Sequence, residues 1–342
     1  MKFSPFGKYL VFLAALAVFL LGAGPGEPAE DIASFYRGKT MRLVVPFSPG
    51  GGTDLHARLL AAVLEKYLKC TVVVINKPGG GGLVAMNDLY EAPRKDGLTL
   101  AISPEGLPLA QAVRTPGVRF NARKFGWIVS LYKDFRYVLV GIDSPYKSVD
   151  DLRKLKRPKA AITAITSPAG PSVILALEGL NLDNAKIVAG YPGSTEVLLA
   201  VKRLEADFTV MSKSHALRKD PLVRPLIAIE DERAPEFPDI PAFTEMGIKP
   251  ETKKMMEIIM MGQAAGRAVV TPPGVSKEKI AFLRKVITAA LNDPEYVKRV
   301  EKAGFFSKPL SAEKTAESVE KALSIAPEDA KMLRHIMFEK YF

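Results

Sequence analysis

The sequence contains a single cysteine, Cys70, in 342 residues. That excludes a disulfide framework and a cysteine-based zinc cluster. Its three histidines, His56, His215 and His335, are far apart and show no HExxH-like spacing, which argues against a zinc hydrolase. Only one long apolar run exists, so a polytopic membrane protein is excluded. No basic block with interleaved aromatics accompanies the net charge of +11, because the 48 Lys and Arg are dispersed among 37 Asp and Glu. A nucleic-acid partner is therefore not expected. The surplus charge reads as a mild attraction for anions or as a solvated surface.

Catalytic and cofactor motifs are missing too. Gly50-x-Gly52 has Leu55 where a dinucleotide fingerprint needs its third glycine. Gly38-Lys39-Thr40 imitates the end of a P-loop but precedes a strand, with Ala33 at the first glycine position. There is no GxSxG, and the SxxK matches at Ser130 and Ser144 lack their companion motifs. No nucleophile–base pair, metal set or cofactor site is expected, so the chain does not read as an enzyme.

What is present is a soluble globular composition, 48% hydrophobic and 25% charged, with length for about two domains. Lys2 and Lys8 precede an apolar run from Tyr9 to Leu21, followed by Gly22, Ala23, Gly24 and a polar stretch. The run is ~13 residues where a spanning helix needs ~20. Residues 1–29 thus read as a secretory signal, the alternative being an uncleaved anchor. Small residues at Gly22 and Gly24 favour cleavage after Gly24.

From Met41 onward, short β-branched runs alternate with helical patterns. Met41–Pro46, Thr71–Ile75 and Leu98–Ser103 read as strands, and Thr53–Leu68 and Leu83–Glu91 as helices. The rhythm restarts after residue 145, with strands at Ala160–Ile165, Ala185–Val188, Asp207–Met211 and Val223–Ile229. From Ser276 the pattern is helical to the end. Strands separated by helices predict an α/β fold with two parallel-type sheets and flanking helices. Phe135–Ile142 and Glu257–Gln263 read as extended segments where the chain passes between units. Two such crossings give a two-lobed protein with a cleft and a double hinge; two domains in series is the alternative. The expected lobes are 30–135 plus 262–342, and 136–261.

Four Gly-rich turns each open a predicted helix: Phe47–Asp54, Lys77–Gly82, Ser167–Ser172 and Tyr191–Thr195. The first-turn N–H groups of a helix point outward at the positive end of its dipole. Such a turn suits a carboxylate, sulfate or phosphate. Capping chemistry alone accounts for one turn of this kind, but the first two carry more glycine than capping needs. In open α/β sheets ligands sit at the carboxyl ends of strands, so all four turns are placed to face one cleft.

The run Phe35-Tyr36-x-Gly38-Lys39-x-x-Arg42-Leu43-Val44-Val45-Pro46-Phe47-x-Pro49-Gly50-Gly51-x-Thr53-Asp54-x-x-Ala57-Arg58 resembles the opening of the tripartite tricarboxylate transporter receptors, also called the Bug family of extracytoplasmic solute-binding proteins. Further blocks fit in order: Val72–Val74 with Asn76–Gly79 and Gly81–Gly82, Asp96–Leu100, Pro145 with Ser148, Asp151 and Leu152, Pro238–Pro241 with Glu245 and Gly247, and Thr271–Val275. The likeness spans roughly residues 35–325. It implies a two-lobed periplasmic binding protein, type II-like, that captures an organic anion, commonly a carboxylate, and passes it to membrane transporter subunits. A monomer in the periplasm is expected.

The resemblance implies that Phe47, Ser48, Gly50, Gly51, Gly52, Thr53 and Asp54, with Gly80, Gly81 and Gly82, meet one carboxylate. It makes Ser103 a further first-lobe candidate. In the second lobe Ser167, Ala169, Gly170 and Ser172, then Tyr191, Gly193, Ser194 and Thr195, complete the clamp. Two departures stand out. Prolines in the third turn remove backbone donors and no histidine follows it. Ser212-Lys213 replaces the family's usual acidic residue, so that Lys213 either meets a second carboxylate or is a solvated loop lysine. The rival readings are an exported enzyme and a signalling ligand sensor using the same cleft.

Overall fold

β-branched runs and helices alternate along the chain, and the runs assemble into two separate five-stranded sheets. The computed structural model describes residues 31–131, 135–167, 169–217, 221–303 and 309–341. The expected signal segment, 1–29, lies outside the described residues.

The first sheet joins β1 (Thr40–Val45), β2 (Thr71–Asn76), β3 (Thr99–Ile102), β4 (Gly126–Ser130) and β10 (Ala268–Thr271) in the order β2-β1-β3-β10-β4. The second joins β5 (Arg136–Gly141), β6 (Lys159–Ala161), β7 (Lys186–Val188), β8 (Phe208–Ser212) and β9 (Val223–Ala228) in the order β7-β6-β8-β5-β9. Each sheet is mixed. β1 runs parallel to β2 and β3, but β10 is antiparallel to β3 and β4. β6 runs parallel to β7 and β8, but β5 is antiparallel to β8 and β9. The parallel-type expectation therefore holds for the βα half of each sheet. It fails where a strand arrives from the other lobe, because a strand that crosses over enters from the opposite end.

The described helices are α1 (Ile32–Tyr36), α2 (Gly52–Leu68), α3 (Leu83–Tyr90), α4 (Leu107–Ala112), α5 (Val149–Arg153), α6 (Ala169–Gly179), α7 (Ser194–Lys202), α8 (Lys213–Ala216), α9 (Pro250–Ala264), α10 (Lys277–Leu291), α11 (Pro294–Lys302), α12 (Ala312–Leu323) and α13 (Pro327–His335). α2 buries Ala57, Leu60, Ala61, Val63, Leu64 and Leu68 against the first sheet, the helical spacing of an amphipathic face. α6 is apolar nearly all round and buries most of its length, as a helix wedged into the second core must.

The segment Glu257–Gln263, expected to be extended, is helical within α9. Its apolar residues pack on more than one side, against α6, α4 and α12, so their run shows no clean period. Pro250, in the first turn of α9, is well placed to start a helix. The chain thus passes from β4 in one sheet to β5 in the other, and returns through a helix before β10. It then crosses again: Leu333, Ile336, Met337 and Tyr341 are buried in the second core. The Ile187 N–H donates to the Tyr341 carbonyl at 3.2 Å, and the Tyr341 hydroxyl donates to Glu178 at 2.7 Å.

Candidate functional site

A cavity of about 590 Å³ opens between the two sheets, lined from both sides by the loops that follow parallel strands. From the first sheet come Pro46–Pro49 and Gly51–Thr53 after β1, and Pro78–Gly82 after β2. From the second come Thr163, Ala164, Ser167 and Ala169 after β6, Tyr191–Glu196 after β7, and Met211, Ser212 and His215 around the end of β8. All four Gly-rich turns reach it. The walls are mainly proline rings, Phe47, Tyr191, Met211 and alanine methyls, so a ligand's apolar body is accommodated alongside a few polar groups.

The first turn is built around a carboxylate that does not line the cavity. Asp54 is buried on α2 and accepts the Gly50 N–H at 2.9 Å, Arg58 Nε and Nη2 at 3.0 Å each, and Asn76 Nδ2 at 2.8 Å. Asn76 also donates to the Phe47 carbonyl at 3.0 Å, which ties the loop to β2. Burial pushes the Asp54 carboxyl up, but the bonds from Arg58, Gly50 and Asn76 outweigh it and hold the group below the ordinary carboxylate range. Gly50 needs its glycine, since φ is +83°. Its N–H is bound inside the loop. Gly51, at φ −79°, caps α2 without a side-chain bond, so the donors that helix geometry leaves facing the cavity belong to the residues after it.

The first two turns both reach across to the other lobe. The Thr166 hydroxyl donates to the Gly80 carbonyl at 2.9 Å, and the Ser48 hydroxyl donates to the Pro192 carbonyl at 3.4 Å. Gly81, at φ +65°, lies so close that a Cβ there would stand 1.9 Å from Thr166 Oγ1 and 2.9 Å from the Ser167 nitrogen.

Other expected residues take structural parts. Ser103 is fully buried; its N–H donates to the Ala268 carbonyl and its carbonyl accepts from Arg267. Gly170 packs under the Ile165 carbonyl, where a Cβ would come within 2.0 Å. Ser172 accepts a bond from Gln263 Nε2 at 2.7 Å, which ties α6 to α9. Lys213 is buried and ion-paired with Glu236, and it is not among the residues lining the cavity. Beside it Ser212 Oγ shares a hydrogen bond of 2.7 Å with His215 Nδ1 and one of 2.9 Å with Ser214 Oγ, so a hydroxyl–imidazole pair faces the cleft.

Sequence reasoning did not single out Arg136, Arg267 or Glu105. Arg136 opens β5 opposite Ser212, and Arg267 stands one residue before β10. Antiparallel strands put their first residues where the parallel strands end, so both arginines are among the residues that line the cavity. Both are ion-paired with Glu105, Arg267 Nε at 2.8 Å. Burial pushes the Glu105 carboxyl up, but the charges of Arg136 and Arg267 hold it below its ordinary range, and it is ionised. Gly266 permits this approach, since a Cβ there would fall 2.1 Å from Glu105 Cγ. The signal in the sequence was a lone charge at the head of an otherwise apolar strand.

Behind this cluster His56 is buried, its Nδ1 3.4 Å from the Tyr296 hydroxyl. Burial first, and the Arg267 charge second, drive it down to about 3, so it is neutral. No group of three or more His, Cys, Asp or Glu among the described residues is arranged to hold a metal ion. No helix among them is long and apolar enough to cross a membrane.

The sequence matches the family model described as "Tripartite tricarboxylate transporter family receptor" over residues 56–324. It is 28% identical over 294 residues to the Bordetella pertussis protein BugT, covering 83% of this chain and 86% of BugT. It is 24% identical over 332 residues to an uncharacterised-family protein from the gbd 5′ region of Cupriavidus necator, covering 93% and 96%. Among solved structures, the periplasmic binding protein BugD superposes with a TM-score of 0.73 at 21% identity, covering 88% of this chain and 98% of BugD. MatC from Rhodopseudomonas palustris, solved with malate, gives 0.70 at 22% identity, with 86% and 99% covered. Another R. palustris protein, solved with adipate, gives 0.72 at 21%, with 86% and 97% covered. These likenesses show the two-lobed periplasmic binding protein fold.

Proposed function

The chain belongs to the tripartite tricarboxylate transporter receptor family, a family of solute receptors and not of enzymes, and from that premise we propose that it captures a small organic anion, a carboxylate, in the cleft between its lobes and hands it to the membrane subunits of a tripartite transporter. Residues 1–29 act as the export signal in this reading, and the mature chain works as a periplasmic monomer.

The observation that carries the proposal is the convergence of helix-starting loops from both sheets on one cavity. The N-terminus of α2 supplies the positive end of a long helix and first-turn N–H groups to one wall. The second wall brings the start of α7 at Ser194, with Gly193 before it. A carboxylate held this way needs no side-chain cation at its near end, since backbone donors supply the field. Relatives in structure were solved with malate and with adipate, which is consistent with a carboxylate here.

The test is native mass spectrometry of the protein as purified, then a thermal-shift screen of mono-, di- and tricarboxylates with calorimetry on the hits. Gly51→Val is the control variant. Its φ of −79° suits a side chain and the nearest obstacle to a Cβ is the Ser48 carbonyl at 3.8 Å, so the fold is retained. The added side chain occupies the wall of the cavity, and binding should fall at least tenfold. Unchanged binding in Gly51→Val removes the α2 loop from the site.

A further inference from the structure

We infer that the end of the first lobe farthest from the cleft is a docking surface for an anionic bilayer. The inference goes beyond the receptor reading and rests only on its export step, by which the chain comes to lie beside a membrane.

Every strand of the first sheet carries a lysine in the turn at its far end. Lys39 stands just before β1, Lys69 before β2, Lys95 before β3 and Lys124 before β4. β10 runs the other way, and Lys277 follows it at the start of α10. All five are exposed, and none makes an ion pair among the described residues. The turns are held side by side. The Lys69 carbonyl accepts the Gly38 N–H at 2.8 Å, and the Lys39 carbonyl accepts the Thr71 N–H at 2.9 Å. A Cβ on Gly274 would stand 2.7 Å from Lys95 Cδ. Lys39 and Lys279 share the ring of Phe35, with Nζ 3.3 and 3.6 Å from its centroid. The negative ring face eases the approach of two ammonium groups to one point.

Acids of the same region are turned to the backbone. Asp31 accepts the Ala33 N–H at 3.2 Å, Glu65 the Val72 N–H at 2.9 Å and Asp96 the Leu98 N–H at 2.9 Å. Their charge is held close to the chain, whereas a lysine stem carries its charge outward. The corresponding end of the second sheet is built differently. There Lys159 and Lys186 open β6 and β7, but Asp207 stands before β8 and accepts the Lys159 N–H at 2.7 Å.

Strands lie about 4.8 Å apart, so five strand ends spread the lysines over roughly 20 Å. That is an area and not a pocket, and it suits a field of headgroups better than one small anion. The route of the chain favours a bilayer over an acidic protein. α1 packs at this end, where a Cβ on Gly97 would meet the Tyr36 hydroxyl at 2.7 Å. In the sequence only residues 22–30 separate Asp31 from the apolar run Tyr9–Leu21. A stretch of that length reaches at most about 30 Å. While the run lies in the membrane during export, this end of the fold is the part kept nearest to the headgroups.

The cleft lies at the other end of the same strands. β1, Thr40–Val45, separates the two by about 20 Å, roughly twice the Debye length at physiological salt. Docking therefore leaves the cleft open, and ligand affinity is independent of it.

The test is co-sedimentation of the protein recovered from the periplasm with vesicles of phosphatidylcholine alone and of phosphatidylcholine with about a quarter phosphatidylglycerol. The protein should bind the second kind at about 0.05 M salt and leave it at about 0.5 M. Each lysine close to such a surface is worth roughly fivefold in partition, so the triple variant Lys39→Gln, Lys95→Gln, Lys277→Gln should lose about a hundredfold. Lys159→Gln, Lys186→Gln, Lys202→Gln makes the same change of net charge on the second lobe and should bind as wild type does. Carboxylate calorimetry should be unchanged in both variants. No binding to the anionic vesicles, equal binding to both kinds, equal losses in the two variants, or release by millimolar inorganic phosphate at constant ionic strength overturns the inference. The receptor reading is judged separately by its carboxylate screen, and the export step by N-terminal sequencing of the recovered protein.

Discussion

Replacing Asp54 by alanine removes the acceptor that organises the first ligand loop. The carboxylate receives four hydrogen bonds, from Gly50, Arg58 (two) and Asn76, and it is buried. Arg58 is half exposed and regains water when its partner goes, so that ion pair contributes little. The Gly50 N–H and the Asn76 amide are part-buried, and each unmet donor costs about 1 kcal/mol or somewhat more. The sum is a loss of about 2–3 kcal/mol, which lowers Tm by roughly 4–12 °C for a lobe of this size. The pH dependence separates charge from packing. A carboxyl whose folded pKa lies below its unfolded value of 3.8 stabilises the fold fully above that unfolded value, and the contribution is lost as pH falls through the folded pKa. The stability gap between wild type and Asp54→Asn should therefore be constant near neutrality and shrink below about pH 4. Urea unfolding from pH 3 to 7 measures it, with calorimetry at pH 7 for ligand affinity, which should drop as the loop loosens. Lost binding with an unfolding midpoint equal to wild type would show that Asp54 contacts the ligand and does not brace the loop.

Three further outcomes are expected. Gly81→Ala drives a methyl into Thr166 and strains a left-handed backbone, so small-angle scattering should show a larger radius of gyration and affinity should weaken; an unchanged profile removes Gly81 from the lobe contact. A chain ending at Ala326 exposes the pockets of Leu333, Ile336, Met337 and Tyr341; at about 1.5–3 kcal/mol each, the loss is comparable with a domain's whole stability, and the second lobe should bind a hydrophobic dye. His56→Gln should flatten the pH dependence of stability. With a folded pKa of about 3 the native state refuses a proton that the unfolded chain takes below 6.5, so wild type weakens by at most about 1.4 kcal/mol per pH unit between those values, and an equal slope in the variant excludes His56 as the cause.

Much of the scaffold was legible because its signals are local. The runs of β1 and β2 are β-branched, and α2 carries its apolar face at helical spacing. The four Gly-rich turns could be placed at one cleft because strand ends and helix starts follow from chain direction alone. What escaped depends on distant contacts. β4 and β10 are short, and their place in the sheet comes from partners far along the sequence. α9 buries several faces against three helices, so its run looked like a strand. Arg136 and Arg267 became neighbours only through two crossings and a carboxylate after β3. The N–H of Gly50 could be assigned to Asp54 and not to a ligand only once the loop's path was known.

The way the chain returns to each sheet governs the order in which it can mature. β10 sits between β3 and β4, so the first sheet is split until residue 271 arrives. The second core lacks part of its filling until Tyr341 is in place. A chain emerging N-terminus first, from a ribosome or through a translocation pore, therefore has no lobe it can complete early. It stays pliable while threading proceeds, and the two halves become able to set only once residue 271 and Tyr341 have emerged. Under the export reading proposed above, that late commitment removes the need to unfold anything on the way.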